Sequence, residues 1–223
     1  MKNKKVRVEF HVHTTTSACY CLTNEQILEK TKKNKTNYLI ITDHNSIEGA
    51  LRCRDFLEKS ESKTKVIIGE EVATQDGEII GFFLQNKIQK GMSAKETVEE
   101  ILKQKGLVAI PHPFDRLRHK AINKNIEKVL EFRPLIEIFN ARVIFPWENE
   151  KAKQFSEKHN LPVLVGSDAH LESELGNTFM EMEDFSGPRD FLEKIKKADF
   201  HTKRNFPLNI VKSLIHKMTA SKN

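Results

Sequence analysis

The segment VRVEFHVHT, residues 6–14, joins a short apolar run to a pair of histidines, His11 and His13. Acidic or imidazole residues follow an apolar run at four further places, which are Asp43-His44, Glu71, His112 and Asp168-Ala169-His170. Short runs rich in β-branched residues are typical of buried strands. Imidazoles and carboxylates collected at one end of several parallel strands form the kind of metal site found in barrel enzymes. The pattern therefore predicts a metal-dependent hydrolase.

Seven apolar runs alternate with polar segments of helical spacing along the chain. The runs are residues 6–10, 38–42, 65–70, 107–111, 135–139, 162–166 and 178–183. Repeated strand–helix units predict a parallel sheet, and seven strands favour a closed or nearly closed α/β barrel over a small open sheet. A further run, residues 78–84, follows the turn signal Asp76-Gly77 and predicts a hairpin appended to the barrel.

Capping residues predict where the helices begin. The predicted starts are Thr23 with Gln26, Ser46, Ser93 with Glu96, Pro146 and Pro188. A Thr or Ser followed three residues later by Gln or Glu has the spacing of a capping box. Proline is favoured at the first helical position because its φ angle is already helical.

The last stretch of the chain departs from this rhythm. Apolar residues between 208 and 218 have helical spacing, which predicts a C-terminal helix packed against the barrel. The alternative is a tail that binds a partner or nucleic acid, because Lys and Arg dominate the segment. We therefore divide the chain into a hydrolase barrel over residues 1–200 and a helical extension of the same domain over residues 201–223.

Composition limits the classes of protein and partner. A chain of 223 residues fits one barrel-sized domain. No apolar stretch approaches the roughly 20 residues that cross a bilayer, and the basic N-terminus lacks the apolar region of a signal peptide. We expect a cytoplasmic protein without a membrane partner. The net charge of +6 favours anionic partners, namely phosphorylated small molecules or nucleic acid, although scattered lysines are also typical of a solvated surface.

His11 and His13 are the firmest candidate ligands. Residues i and i+2 of a strand point to the same side, so these two imidazoles can hold one metal. Asp168 and His170 have the same spacing. Glu71 offers two carboxylate oxygens, which can bridge two cations.

Two further candidates have structural alternatives. His112 lies between Pro111 and Pro113, so it is either a packed loop residue or a ligand, and its place at a strand end favours ligation. Asp43 can orient the neighbouring His44 or accept its second proton, and it can also serve as a helix N-cap. Both roles of Asp43 are compatible.

These motifs, in this order, resemble the polymerase and histidinol phosphatase (PHP) superfamily. The matching segments are FHVHT at 10–14, TDHNSIEGA at 42–50, GEEVAT at 69–74, PHPFD at 111–115, IEIFNAR at 136–142 and GSDAH at 166–170. The resemblance spans residues 6 to about 184. It implies a distorted seven-stranded (β/α) TIM-like barrel that holds two or three divalent metals at its C-terminal mouth and hydrolyses phosphate esters.

The resemblance also implies a ligand set. A first metal would be held by His11, His13, Glu71 and Asp168, a second by Glu71 and His112, and a third by His44 and His170. Cys19 stands where relatives have an Asp or His of the third site, so it either ligates as a thiolate or leaves that site weak or empty. Glu78 stands where many relatives have a second-metal histidine, and it is either a carboxylate ligand or a surface acid beside the turn.

The predicted chemistry follows from these ligands. Bound metals lower the pKa of a water and clamp phosphoryl oxygens, and an imidazole-rich site suits zinc, iron or manganese. The candidates for holding the phosphate are Arg116, Arg118 and Arg142, of which Arg142 is preferred because it ends a strand; surface salt bridges are the alternative. Glu137 and Asn140 are expected to support the ligands. His170 or His44, if not metal-bound, would protonate the leaving group.

Four functions compete at this point. The first is a phosphoesterase acting on a small phosphorylated molecule, supported by the nearly complete ligand set. The second is a nuclease using the same metals, which the basic charge favours, although one Trp and two Tyr do not indicate base stacking. The third is a binding protein with a degenerate site, for which Cys19 is the support. An amidohydrolase barrel fits Asp43-His44 and the strand count poorly. The sequence does not predict an oligomeric state.

Overall fold

The computed structural model describes residues 5–17, 21–118 and 121–205. Within them, nine strands form one sheet that curls into a nearly closed barrel. The strands are β1 Lys5–Val12, β2 Tyr38–Ile41, β3 Lys65–Ala73, β4 Glu78–Phe82, β5 Leu107–Ile110, β6 Leu135–Asn140, β7 Val163–Gly166, β8 Phe179–Glu183 and β9 Asp199–His201. Each of the seven predicted runs overlaps one of these strands, and β4 and β9 are the other two.

The directions of the strands differ in part from the predicted parallel sheet. The order is β7-β6-β5-β4-β3-β2-β1-β8-β9. Strands β1, β2 and β3 are parallel to one another, as are β5, β6 and β7, but β4 runs antiparallel between β3 and β5. The predicted hairpin is confirmed, because β4 pairs antiparallel with β3 across the turn at residues 74–77. Its predicted position as an appendage is wrong, since β4 lies within the sheet and all five of its residues are buried. Strand β8 is antiparallel to β1.

Strand β1 closes the barrel with its second half. Its first half, residues 5–8, pairs with β8. Beyond it, the backbone N–H of Ser167 donates to the Phe10 carbonyl at 3.0 Å, that of Ala169 to the His11 carbonyl at 3.1 Å, and that of His13 to the Ala169 carbonyl at 3.0 Å. This seam lies at the C-terminal mouth of the barrel, where the parallel strands end.

Helices connect and cover the strands. They are α1 Asn24–Asn34, α2 Glu48–Lys59, α3 Ala94–Lys103, α4 Pro146–Lys158 and α5 Pro188–Lys194, with 3-10 turns at Asn123–Phe132 and Ile195–Lys197. The two capping boxes and the two proline starts are confirmed. Helix α2 begins later than predicted, because Ile47 is its N-cap residue and the Ser46 hydroxyl accepts a bond from the Glu48 N–H at 3.2 Å.

Two apolar clusters hold the barrel together. One lies between the sheet and α1–α4 and includes Ile27, Cys53 and Val98. The other is formed mainly by strand residues and is packed at its end by contacts of Phe191 with Phe82. Burying each such side chain contributes about 1.5–3 kcal/mol, so the strands form a rigid support for the loops at the mouth.

Some predictions about the ends of the chain fall outside the described residues. The predicted C-terminal helix over 208–218 is one of them. Strand β9, which spans the predicted boundary at residue 200, pairs with β8 as part of the sheet. Among the described residues, no helix is long and apolar enough to cross a membrane.

Candidate metal centre

The side chains that follow the predicted apolar runs lie together at the barrel mouth. His11 lies near the end of β1, Glu71 lies in β3, and Asp168 follows β7. All three are fully buried. Glu78 arrives by a different route, because the antiparallel β4 begins at the mouth rather than ending there.

Four buried ligand atoms at the centre have no hydrogen-bond partner among the described residues. They are Nε2 of His11, Nε2 of His13, Oε2 of Glu71 and Oδ1 of Asp168. Both imidazole nitrogens lie 3.5 Å from the Glu71 oxygen, and they lie 3.7 and 3.4 Å from the Asp168 oxygen. Ligands bound tetrahedrally at about 2.0–2.1 Å are separated by roughly 3.4 Å. The observed spacing therefore fits a first cation. A cation would also pair these buried polar atoms, which are unfavourable without a partner.

Glu71 extends the cluster toward a second position. Its Oε1 lies 3.0 Å from His112 Nε2, and its Oε2 lies 3.0 Å from His44 Nδ1. Glu78 Oε2 is 4.0 Å from His112 Nε2. Ligand atoms of His44, Glu71 and Glu78 also lie within 4.8 Å of one another. Glu71 is therefore placed to bridge two cations, and Glu78 is a buried member of the cluster rather than a surface acid.

A third group of ligand atoms comes from His13, His44 and His170, again within 4.8 Å of one another. The Nδ1–H of His170 donates to the Asp168 carbonyl at 2.8 Å, which directs its Nε2 lone pair outward as a ligand. Cys19, the remaining predicted member of this group, lies outside the described residues and stays a prediction.

Glu137 and Asn140 hold the ligands in place, as the sequence suggested. Glu137 Oε1 accepts from His11 Nδ1 at 2.9 Å, and its Oε2 accepts from the His112 backbone N–H at 2.7 Å. The amide of Asn140 donates to both Glu137 and Asp168, at 2.9 and 3.2 Å. Such partners orient ligands and raise their basicity. A Cβ at Gly166 would lie 1.8 Å from Glu137 Oε1, so only glycine fits there.

Local backbone conformation, rather than simple strand alternation, directs three of these side chains toward the cluster. His11, His112 and Asp168 have φ angles of 65°, 29° and 48°, in the left-handed region. The pairing of β1 with β2 shifts register between Glu9 and Val12, around His11. Ligand atoms of His11 and His13 do lie together, but a bulge rather than the predicted strand alternation brings them there. Such conformations cost about 1–3 kcal/mol each and persist where the surrounding structure fixes them.

The charge states of the two carboxylates and of His170 suit metal binding, whereas those of His11 and His44 oppose it. Burial acts to lower the pKa of these two imidazoles, but Asp168 helps to raise that of His11 well above its usual value and Glu71 raises that of His44, so a cation would have to displace a proton from them. Burial opposes ionisation of Asp168, but the guanidinium of Arg118 helps to hold the pKa of its carboxyl well below the usual value. Glu71 is likewise buried, and His11 helps to hold its pKa low. Burial, followed by nearby positive charge, lowers the pKa of His170 well below that of a free imidazole. Ionised carboxylates and neutral imidazoles are the forms that bind metals.

Arg118 is the arginine that enters the cluster. Its guanidinium forms an ion pair with Asp168, and its Nη1 donates to His112 Nε2 at 3.2 Å. Asp115 fixes it from behind, with the Arg118 Nε donating to Asp115 Oδ2 at 3.2 Å. The side chain remains 24% exposed, so a ligand at the mouth can reach it.

Comparison with known proteins agrees with this geometry. A sequence model described as PHP-associated matches residues 146–200. The chain is 31% identical over 205 residues to the uncharacterised protein MJ0417 of Methanocaldococcus jannaschii, covering 86% of this chain and 79% of that protein. A two-domain protein from Bacteroides vulgatus, containing a predicted PHP-like metal-dependent phosphoesterase, superposes with a TM-score of 0.67. The chain belongs to the PHP superfamily.

The solved PHP structures are similar in fold. The Bacteroides vulgatus protein is 16% identical, and the match covers 89% of this chain and 66% of that one. The lesion-specific endonuclease PfuEndoQ of Pyrococcus furiosus is also 16% identical, with a TM-score of 0.59, and the match covers 88% of this chain and 58% of that one. The present chain thus spans about two thirds or less of both neighbours.

The other two predicted arginines of this PHP protein lie outside the cluster. Arg142, preferred from the sequence, is buried and its Nη1 donates to Glu174 Oε2 at 3.0 Å. Arg116 is 63% exposed at its side chain, and its Nε donates to Glu148 Oε1 at 3.0 Å.

Sequence reasoning missed one supporting acid. Glu174 Oε2 accepts from the backbone N–H of His170 at 2.9 Å and of Leu171 at 3.1 Å, in addition to Arg142. It shapes the loop that carries His170. Glu174 follows no apolar run, so the pattern that found the ligands carries no signal for it.

Asp43 has a structural role that the sequence did not predict. Its carboxylate accepts from the Thr14 backbone N–H and hydroxyl, both at 2.7 Å, and from the Ser17 hydroxyl at 2.5 Å. It does not cap α2, because Ile47 holds that position. Asp43 instead fixes the loop after β1, whose Ser17 hydroxyl lies 3.3 Å from His13 Nδ1.

Proposed function

We propose that the protein is a metal-dependent phosphoesterase that hydrolyses a phosphate ester at a di- or trinuclear centre. The observation that carries this proposal is the convergence of four unpartnered, fully buried ligand atoms from His11, His13, Glu71 and Asp168. Membership in the PHP superfamily supports it. The mixed imidazole and carboxylate ligands suit zinc, manganese or iron.

Divalent cations bound here would supply a water of lowered pKa and charge to neutralise the phosphoryl oxygens. The chain itself contributes the remaining functions. Arg118, anchored by Asp115, is positioned to pair with a substrate phosphate at the edge of the cluster. Glu137 keeps the His11 imidazole oriented.

Proton delivery to the leaving group is assigned to His170 or His44. His44 is 29% exposed at its side chain, and its Nδ1 faces Glu71. His170 is more buried and is held by the Asp168 carbonyl. His44 is the better donor if the third position is empty, because Glu71 and other acids raise its pKa against the effect of burial.

Arg142 and Arg116 take different parts in this proposal. Arg142 acts as a positioning residue, because it pairs with Glu174, which holds the His170 loop. Arg116 is exposed near the mouth and is available to an anionic substrate. The preferred substrate is a phosphorylated small molecule, and the expected location is the cytoplasm.

Hydrolysis of nucleic acid is the second candidate. The observation that favours it is the similar fold of an endonuclease, together with the net charge of +6. A non-catalytic binding protein with a degenerate site is disfavoured by the buried, unpaired ligand atoms, since their desolvation is unfavourable without a cation.

The test combines metal analysis with activity. We would purify the protein without chelator, measure bound metals by elemental mass spectrometry, and assay hydrolysis of an aryl phosphate. Two or three transition-metal equivalents, with turnover lost in His13→Ala and Asp168→Ala, are expected. The matched control is Leu102→Ala, an exposed position on α3. Failure to bind zinc or manganese after reconstitution would refute the enzyme assignment.

A further inference from the structure

A small aromatic surface is formed by two chain segments that follow residues of the metal centre. It consists of Phe145 and Trp147 at the start of α4 and of Arg116, whose guanidinium faces both rings. Ile144 and Leu117 are the sequence neighbours of these residues. Trp147 and Leu117 are each 53% exposed and Ile144 is 37% exposed. Among the described residues, these are three of four strongly exposed large apolar side chains. Their clustering at one edge of the mouth requires an explanation, since scattered exposure is the ordinary case.

The aromatic surface is organised before any ligand arrives. The rings of Phe145 and Trp147 are stacked, with centroids 4.5 Å apart and an interplanar angle of 24°. The Arg116 guanidinium lies 5.8 Å from both ring centroids. The buried Glu148 holds Arg116 there by accepting from its Nε at 3.0 Å.

The surface is connected to the metal centre through a short stretch of chain. Arg116 and Arg118 are two residues apart, and Arg118 forms the ion pair with Asp168. On the other side, Phe145 follows Asn140 by five residues, and the Asn140 amide donates to Asp168 at 3.2 Å. Both segments of the chain that carry the aromatic surface therefore also carry a residue in contact with Asp168.

We propose that this aromatic surface binds the nucleobase of the substrate, which makes the substrate a nucleoside phosphate, either free or at the end of a single strand. The inference rests on the proposed phosphoesterase function and deepens it. Flat aromatic faces with an adjacent guanidinium favour a π-system through stacking and cation–π contacts. An aliphatic phosphate ester would gain little from them, and the net charge of +6 also favours nucleotides over neutral partners.

The protein carries its own probe for the test, because Trp147 is its only tryptophan. Its fluorescence would be titrated with adenosine 5′-monophosphate and with ribose 5-phosphate, with chelator present so that no turnover occurs. We expect saturable quenching by the nucleotide and none by ribose 5-phosphate, which lacks a nucleobase. A 5′-phosphorylated oligonucleotide in a parallel titration separates the two sources, since quenching at much lower concentration indicates a strand end.

Variants give a second measurement by calorimetry. Trp147→Ala should weaken nucleotide affinity by about 10- to 100-fold, the size expected for loss of one stacking contact, and Trp147→Phe should restore most of it. Leu102→Ala, at a 42% exposed position on α3, is the matched control and should bind like the wild type.

Several results would overturn the inference. Absence of quenching by the nucleotide, or equal quenching by ribose 5-phosphate, shows that no base stacks on Trp147. Unchanged nucleotide affinity in Trp147→Ala, with a dimer that dissociates in that variant, assigns the surface to contact between two copies instead. Quenching without hydrolysis in the metal-loaded protein retains the nucleotide site and refutes the phosphoesterase, so the two failures are distinguishable.

Discussion

Two fully buried aspartates lie at the barrel mouth on either side of β1, Asp43 after β2 and Asp168 after β7, yet their surroundings differ. The carboxylate of Asp43 accepts three hydrogen bonds, from Thr14 and Ser17. Asp168 has one satisfied oxygen, which accepts from Asn140 and Arg118, while its Oδ1 has no hydrogen-bond partner in the part of the chain that the structure describes and faces His11 and His13. A buried carboxylate whose oxygens all accept hydrogen bonds stabilises the fold, whereas a buried carboxylate with an unpaired oxygen is available to bind a ligand. Sequence position alone does not separate the two.

Asp168→Asn should produce the largest effect. Loss of this ligand removes several kcal/mol of electrostatic stabilisation, so we expect kcat to fall by about 10³-fold and the metal content to drop. The measurement is aryl phosphate turnover alongside elemental analysis. Asp43→Asn is the control and should retain its metal. Equal loss of metal in both variants would remove the distinction between the two aspartates.

Metal binding should raise the free energy of unfolding, and this increase should require Asp168 but not Asp43. A cation at about 100 times its dissociation constant adds about 2.7 kcal/mol, which corresponds to a rise in Tm of roughly 5–10 °C at this chain length. Thermal unfolding with zinc or manganese, and then with chelator, measures it. The rise should persist in Asp43→Asn and vanish in Asp168→Asn. A full rise in Asp168→Asn would indicate metal bound elsewhere.

Glu137→Gln tests the support of the ligands rather than a ligand itself. The change removes the carboxylate that accepts from His11 and from the His112 backbone. We expect metal affinity to fall by about 10- to 100-fold at unchanged stoichiometry. Competition with a fluorescent chelator measures the affinity. Loss of a whole metal equivalent would make Glu137 a ligand and contradict the assignment.

Asp43→Asn should act on stability. Leaving one or more of its three buried donors poorly paired costs about 1–3 kcal/mol, a decrease of roughly 3–10 °C in Tm. Chemical denaturation of the metal-free protein measures the change in the free energy of unfolding. Asp168→Asn should also lower the free energy of unfolding of the metal-free protein, because it removes the ion-pair partner of Arg118, so metal retention rather than stability separates the two aspartates. An unchanged free energy of unfolding in Asp43→Asn would contradict its structural role.

The smallest expected effect concerns the thiol of Cys53, whose pKa depends in part on the charge of Asp43. Burial, and secondarily the charge of Asp43, raise the pKa of the Cys53 thiol from 9.0 to about 12. The unfolded state then loses its proton first as pH rises from about 9 to about 12, so this contribution to the free energy of unfolding is complete below that range and declines across it.

The corresponding measurement is reaction with an aromatic disulfide reagent at pH 8. Native wild-type protein and Cys53→Ala should consume the same number of equivalents. After unfolding in guanidinium, the wild type should consume one more. A reactive Cys53 in the native state would contradict the burial of this thiol.

The sequence brought the candidate ligands to one place because each lies next to an apolar run, and apolar runs indicate where buried strands lie. It did not place β4 inside the sheet, because the second strand with which β4 pairs depends on tertiary contacts and not on its own pattern. Glu78 was consequently undecided between ligand and surface acid. Arg118 was ranked below Arg142 because position after a strand does not show how far a long side chain reaches. Asp43 was predicted to orient His44 or to cap a helix, and its bonds to Thr14 and Ser17 were missed because hydrogen-bond partners of this kind depend on the folded loops.

The seam between β1 and the segment after β7 also bears on how the protein is made. Residues joined there, such as Phe10 and Ser167, are 157 positions apart in the chain. Contacts of such separation form late in folding because a large loop must be closed first. During synthesis, the first cation site therefore cannot form until Asp168 has left the ribosome, long after His11 and His13. Metal loading is then expected to follow barrel closure, and free metal should accelerate the final step of refolding more than the early ones.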